Sequence, residues 1–162
     1  MGIRVCEEKK IFSISTPNTT YLMGVSGENL LGHMYYGKRM EDMDGYYLLR
    51  SGDSPEEKHL RDKVGYLDSF SFEYPVWGTG DFRDPCLRVR DENGYRACEL
   101  HYEAYEILEG KPALSGMPST FAGKEEGQGA RTLIITLRDE VLGLKVLLRY
   151  SIFEDSDAII RS

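Results

Sequence analysis

The sequence predicts an all-β domain made of two packed, mainly antiparallel sheets with short helical decorations. Two positive observations and one negative one point there. Apolar residues recur at a period of two, as in Ile11-Phe-Ser-Ile-Ser15 and in Leu144, Val146, Leu148, Tyr150 and Ile152, the mark of half-buried strands. Gly, Pro, Asn and Asp clusters punctuate these runs at short intervals. No stretch carries a convincing helix of more than about three turns.

Taken in order, residues 11–36 read as a meander of short strands. Ile11–Ser15 alternates, Pro17-Asn18 makes a turn, and Tyr21, Met23 and Val25 resume the period of two. Ser26-Gly-Glu-Asn29 then turns the chain into Leu30–Tyr36, and Gly37-Lys-Arg39 ends the run. Residues 41–66 lack strand periodicity. Within them Ser54-Pro55-Glu56-Glu57 joins an N-cap, a proline at the first helical position and acids in the first turn, which predicts a short helix over 55–62. A loop of this length inside a compact domain is often functional, although a plain insertion reads equally well.

The segment the chain is organised around comes next: Glu73-Tyr-Pro-Val-Trp-Gly-Thr-Gly-Asp-Phe-Arg83, running on to Asp84-Pro85. It holds the only tryptophan, Trp77, while Pro75, Gly78, Gly80 and Pro85 keep it out of any helix. One reading is a glycine-rich corner between strands, with Asp81 and Arg83 tying loops together and Phe82 supplying apolar bulk. The other makes the same turn a ligand-facing rim. Beyond it, Leu87–Arg90, Asp91-Glu-Asn-Gly94 and Tyr95–Leu100 give a hairpin signal, because Asn-Gly tolerates positive φ in a tight turn. Tyr102–Leu108 reads as strand, and Gly110-Lys-Pro112 ends it. Leu114–Gln128 is loop-like. Two strong strands follow: Thr132–Leu137, with Leu133, Ile135 and Leu137 on one face, and Leu144–Ile152, joined through Arg138-Asp-Glu. Ala158–Ser162 looks like a strand cut short.

Composition narrows the function. At 162 residues the chain is long enough for one domain with a real core, burying roughly 70% of its unfolded surface. A net charge of -7 without a basic cluster argues against nucleic acid or an anionic membrane as partner. No run approaches the roughly 20 apolar residues of a membrane span, and no signal-peptide core stands at the N-terminus. Cys6, Cys86 and Cys98 form an odd, sparse set without Cys-x-x-Cys spacing, which fits a reduced, cytoplasmic protein.

A search for catalysis finds little. His33, His59 and His101 are scattered, with no partners at metal-ligand spacing, so no metal is expected. Asp42-x-Asp44 and Asp155-x-Asp157 lack the glycine and distal glutamate of a calcium loop. Gly78-x-Gly80 lacks the third glycine of a dinucleotide fingerprint. No nucleophile elbow appears, and no pair of acids stands out as a glycosidase pair.

The ordered set of motifs carries a resemblance. Leu30-Leu-Gly-His-Met-Tyr-Tyr-Gly-Lys38, Glu73-Tyr-Pro-x-x-Gly-x-Gly-Asp-Phe-Arg-x-Pro85, Tyr102, Gly110-Lys-Pro-x-Leu-x-Gly-Met-Pro-Ser-Thr120, Thr132-Leu-x-Ile-x-Leu-x-Asp139, Gly143-Leu-x-Val146 and Tyr150-Ser-Ile-Phe-Glu-Asp-x-Asp-Ala-Ile-Ile-Arg-Ser162 follow one another along nearly the whole chain. It resembles the N-terminal domain of glycoside hydrolase family 36 α-galactosidases. The resemblance implies that residues 1–162 form one β-supersandwich domain, packed in the parent enzyme against a (β/α)8 barrel and followed by a C-terminal β domain. Two barrel aspartates would carry out retaining hydrolysis of terminal α-galactosides such as melibiose and raffinose, without a cofactor. Those motifs are absent here, so no catalytic residue is expected in this chain, and it reads as the leading portion of such an enzyme.

In tetrameric members a loop of this domain reaches a neighbouring subunit's active site, and residues 41–66 correspond to it. Where such members carry Phe-Ser-Pro-Asn-Pro, this chain has Leu49-Arg-Ser-Gly-Asp-Ser-Pro55, keeping only Ser-Pro. Asp53 is the rim candidate that follows, although a register anchored on Ser54-Pro55 puts the family's aspartate near Arg50; Trp77 is a second rim candidate if it stacks on a sugar face, with filling a domain interface as the favoured alternative. Tyr74, Pro75, Gly78, Gly80, Asp81, Phe82 and Arg83 form the structural motif. The competing reading is a stand-alone β-sandwich carbohydrate-binding module, against which a single tryptophan makes a poor platform.

Overall fold

The fold is described from a computed structural model, over residues 2–49, 70–78, 84–118, 129–153 and 156–162. It consists of two four-stranded antiparallel meanders. The first sheet runs β1 (Gly2–Cys6), β2 (Ile11–Ser15), β3 (Thr19–Val25) and β4 (Leu31–Lys38), and the second β5 (His101–Glu109), β6 (Ala130–Asp139), β7 (Leu144–Phe153) and β8 (Ile159–Arg161), each in sequence order. Within each sheet, neighbours in sequence are neighbours in space, joined by short connections except between β5 and β6, where residues 110–129 intervene.

The predicted alternation is what packs the two sheets together. Phe12 and Ile14 of β2 and Met23 and Val25 of β3 meet Leu133, Ile135 and Leu137 of β6 and Leu148, Tyr150 and Ile152 of β7 in one buried core. Phe12 also sits edge-on to Tyr105 of β5, with centroids 5.2 Å apart. The opposite face of the first sheet is covered too, which the sequence did not announce. Ile11, Leu22 and Met34 pack there under Leu49 and Phe70, so β2 is buried on both faces.

Several expectations shift. β1 was not anticipated; it pairs with β2 from Gly2↔Ser15 to Cys6↔Ile11 and adds Ile3 to the core. The turn between β6 and β7 falls at Glu140–Gly143 rather than at Arg138–Glu140. It is held by the Asp139 carboxylate, which accepts the Leu142 N–H at 2.8 Å. Among the described residues the only helical element is a 3-10 turn at Tyr46–Leu49. The helix expected at 55–62 lies outside the described residues, as do 119–128 of the expected loop.

The hairpin expected around Asp91–Gly94 is corrected in part. The turn forms: Gly94 N–H donates to Asp91 O and Asp91 N–H to Tyr95 O, with Gly94 alone at positive φ, 89°. This is a type I turn closed by a glycine bulge. Its flanks are not strands. Apart from a parallel bridge between Leu87 and Val76, residues 84–100 are irregular chain, with Leu87 and Val89 packed on the core.

Candidate functional site

The Glu73–Gly78 stretch is joined to both sheets. Its backbone leans on β4, where Glu73 N–H donates to Leu31 O and His33 N–H to Ser71 O. That contact drives the Glu73 side chain between the sheets, where it is 1% exposed. A buried carboxylate is tolerated only when donors surround it, and here they do. Tyr21 Oη donates to both carboxylate oxygens at 2.8 Å, and Tyr150 Oη to Oε1 at 2.7 Å. His33 Nδ1 stands 3.3 Å from Oε2, and Arg161 Nη1 3.3 Å from Oε1 and from the Glu73 carbonyl.

Burial disfavours the charged carboxylate, but the hydrogen bonds from His33, Tyr150 and Tyr21 outweigh it, and the Glu73 pKa falls below the ordinary glutamate value. The same burial, with the adjacent carboxylate, pushes the hydroxyls of Tyr21 and Tyr150 upward. One carboxylate therefore pins β3, β4, β7 and β8 to the central segment. Glu73 is the residue that sequence reasoning missed; its only signal was its place at the head of the aromatic, proline-rich stretch.

The rest of the motif follows from that anchor. Tyr74 packs on the main core and donates to Cys86 O at 3.4 Å, and the Pro75 carbonyl accepts Cys86 N–H at 2.9 Å. The Trp77 carbonyl accepts Cys98 N–H at 2.8 Å. Gly78 has φ 127°, and a Cβ there would stand 2.8 Å from Cys98 N, so the glycine permits a close backbone crossing. These bonds hold the Trp77 indole half-exposed, at 50%. It lines a cleft of about 500 Å³ with Asp84, Pro85, Arg88, Arg90 and Arg96. Gly80, Asp81, Phe82, Arg83 and Asp53 lie outside the described residues.

Among the described residues Glu73 and Asp139 are the buried acids, and both are saturated by donors. Asp139 accepts N–H groups from Glu99 and Leu142 and the Cys98 thiol, whose pKa burial and this carboxylate push up to about 12. No group of three or more His, Cys, Asp or Glu among the described residues is arranged to hold a metal ion.

The described residues form a two-sheet β domain with a buried polar pin and a cleft lined by Trp77 and three arginines. The family is specific. Residues 29–162 match the glycosyl hydrolase family 36 N-terminal domain, and the chain belongs to that family. It is 36% identical, over its whole length, to the bifunctional α-galactosidase/sucrose kinase AgaSK of Mediterraneibacter gnavus, covering 17% of that protein. Its fold superposes on the crystal structure of the family 36 α-galactosidase AgaB of Geobacillus stearothermophilus with a TM-score of 0.84 and 34% identity, covering 100% of this chain and 22% of that one. A variant of α-galactosidase AgaA from the same organism, in complex with raffinose, matches at a TM-score of 0.83 and 35% identity, over 94% of this chain and 21% of that one. The chain thus spans about a fifth of the length of these relatives.

Proposed function

We propose that this chain is the non-catalytic N-terminal domain of an α-galactosidase whose barrel domain hydrolyses terminal α-galactosides such as melibiose and raffinose. The observation that carries the reading is a match along the whole chain to family 36 enzymes of which it covers only about a fifth. The saturated state of Glu73 and Asp139 supports it from the chemical side. Retaining hydrolysis needs two open carboxyl groups about 5–5.5 Å apart across the scissile bond, and neither buried acid is free to take part. The domain's work is packing against the barrel and assembly into a homo-oligomer, a tetramer in the parent enzyme. Residues 41–66, with Asp53, form the rim of a neighbouring active site. The free thiols of Cys6, Cys86 and Cys98 suit a cytoplasmic enzyme.

The test is direct. The purified 162-residue chain is expected to release no galactose from melibiose, raffinose or an aryl α-galactoside; measurable turnover by the pure chain overturns the assignment. A second reading, a stand-alone carbohydrate-binding module, is favoured by one observation, the half-exposed Trp77 over a concave cleft. Calorimetric titration with galactose and raffinose separates the two. No heat of binding is expected. Millimolar or tighter binding that Trp77→Ala abolishes in a folded protein would favour the module.

A further inference from the structure

We propose that β8 is a strap tying the second sheet to the first, held closed by the charged carboxylates of Glu73 and Asp157 and released as a unit by acid. Three observations carry it. The first is how little of β8 its own sheet holds. Among the described residues it is the shortest strand, and it lies at the edge of its sheet. It shares three residue pairs with β7, and none of its residues is fully buried. Two backbone bonds between Arg149 and Ser162 complete the ladder. Segments with few buried contacts open first in a folded protein.

The second observation is that both ends of β8 are clamped by partners outside its own sheet. Two residues before the strand, the Asp157 carboxylate accepts the Thr16 hydroxyl at 2.9 Å and the Asn18 N–H at 2.8 Å, with the Asn18 amide on its other oxygen. Thr16 and Asn18 lie in the turn between β2 and β3 of the first sheet. At the strand's last residue, the Arg161 guanidinium donates to the Glu73 carboxylate and to its carbonyl, each at 3.3 Å. No described strand is shared between the two sheets, so these clamps join what the ladders leave separate.

The third is that both clamps depend on charge. Glu73 is faced by Tyr21 on β3, His33 on β4, Tyr150 on β7 and Arg161 on β8, and His33 is charged only when protonated. Asp157 meets neutral donors, and Arg39, bonded to the Thr16 carbonyl, is the cation on that turn. A protonated carboxyl loses acceptor capacity and the charge that strengthens each bond. At Glu73 burial raises the pKa, but the bonds from His33, Tyr150 and Tyr21 bring it below the ordinary value. The bonds from Asn18 and Thr16 lower that of Asp157. The closed strap is therefore at full strength above pH about 4.5 and weakens as pH falls through the two lowered values.

Hydrogen exchange of the 162-residue chain, read on peptides by mass spectrometry and corrected for the intrinsic rate at each pH, tests this. At pH 7 residues 159–162 are expected to be protected. Below pH about 4.5 they should lose protection while β6 keeps its own. At pH 7, Asp157→Asn and Arg161→Gln should each speed exchange of 159–162 by about threefold to tenfold. The double variant should show roughly the product, as for two clamps on one opening unit. Arg131→Ala, on β6, should leave the segment unchanged. The pH series on the unaltered chain needs no variant to fold. Loss of protection at 159–162 and at β6 in one step overturns the strap, as does a segment unprotected at pH 7. So do clamp variants that leave exchange of 159–162 unchanged.

Discussion

Replacing Glu73 with glutamine keeps the shape of the side chain and removes its charge. The consequences can be worked from the five contacts it makes. Tyr150 is 1% exposed, so its hydroxyl depends on Glu73 Oε1 at 2.7 Å. Tyr21 Oη reaches both oxygens, and an amide offers it only one acceptor. The glutamine NH2 must then face one of four donors, Tyr21, Tyr150, His33 or Arg161. A hydrogen bond to a charged group contributes about 1.5–3 kcal/mol, and a buried donor left without a partner costs about 1–3 kcal/mol. His33 and Arg161 are partly exposed, at 32% and 45%, and regain water. Relief of the carboxylate's desolvation offsets part of the loss. The expected net destabilisation is about 2–3 kcal/mol for Glu73→Gln, with roughly 1–2 kcal/mol for Tyr150→Phe, which leaves the carboxylate its other donors.

Urea unfolding followed by Trp77 fluorescence reads this as a lower midpoint at unchanged slope. The acid limb gives an independent check. The folded pKa of Glu73 lies below its ordinary value of 4.5, so its charge contributes stability that is full above that value and is lost as pH falls through the folded pKa. Glu73→Gln should therefore flatten the loss of stability below pH ~4.5. A variant within about 0.5 kcal/mol of the parent, the range of ordinary surface substitutions, with an unchanged acid limb, would refute the claim that this carboxylate pins the sheets together.

Two further outcomes follow from the same geometry. Gly78→Ala places a Cβ 2.8 Å from Cys98 N at a φ of 127°; it should cost about 1–3 kcal/mol and lower the thermal midpoint, and a neutral result would mean the crossing is slack. A thiol reagent at pH 8 should react promptly with exposed Cys86 but with Cys98, whose pKa is pushed up to about 12, only after unfolding. Equal rates at the two positions in the folded chain would contradict the buried Cys98–Asp139 contact.

Alternation is a local property, and where it was strong it was enough. Leu133, Ile135 and Leu137, and Leu148, Tyr150 and Ile152, face the core as their period of two requires. Family membership was legible for a different reason, since ordered motifs along a whole chain are far more specific than any single one. What tertiary structure decided were pairings across sequence distance. Leu87 and Val89 alternate with Arg88 and Arg90, yet this stretch forms no ladder, because a period of two fixes an apolar face and not a partner strand. β1 is a strand through its antiparallel pairing with β2 rather than through its own short pattern Gly2–Cys6. Glu73 reads in sequence as one acid among many. Its partners Tyr21, His33, Tyr150 and Arg161 lie 40 to 88 residues away along the chain, and only the folded chain brings four donors around one buried charge.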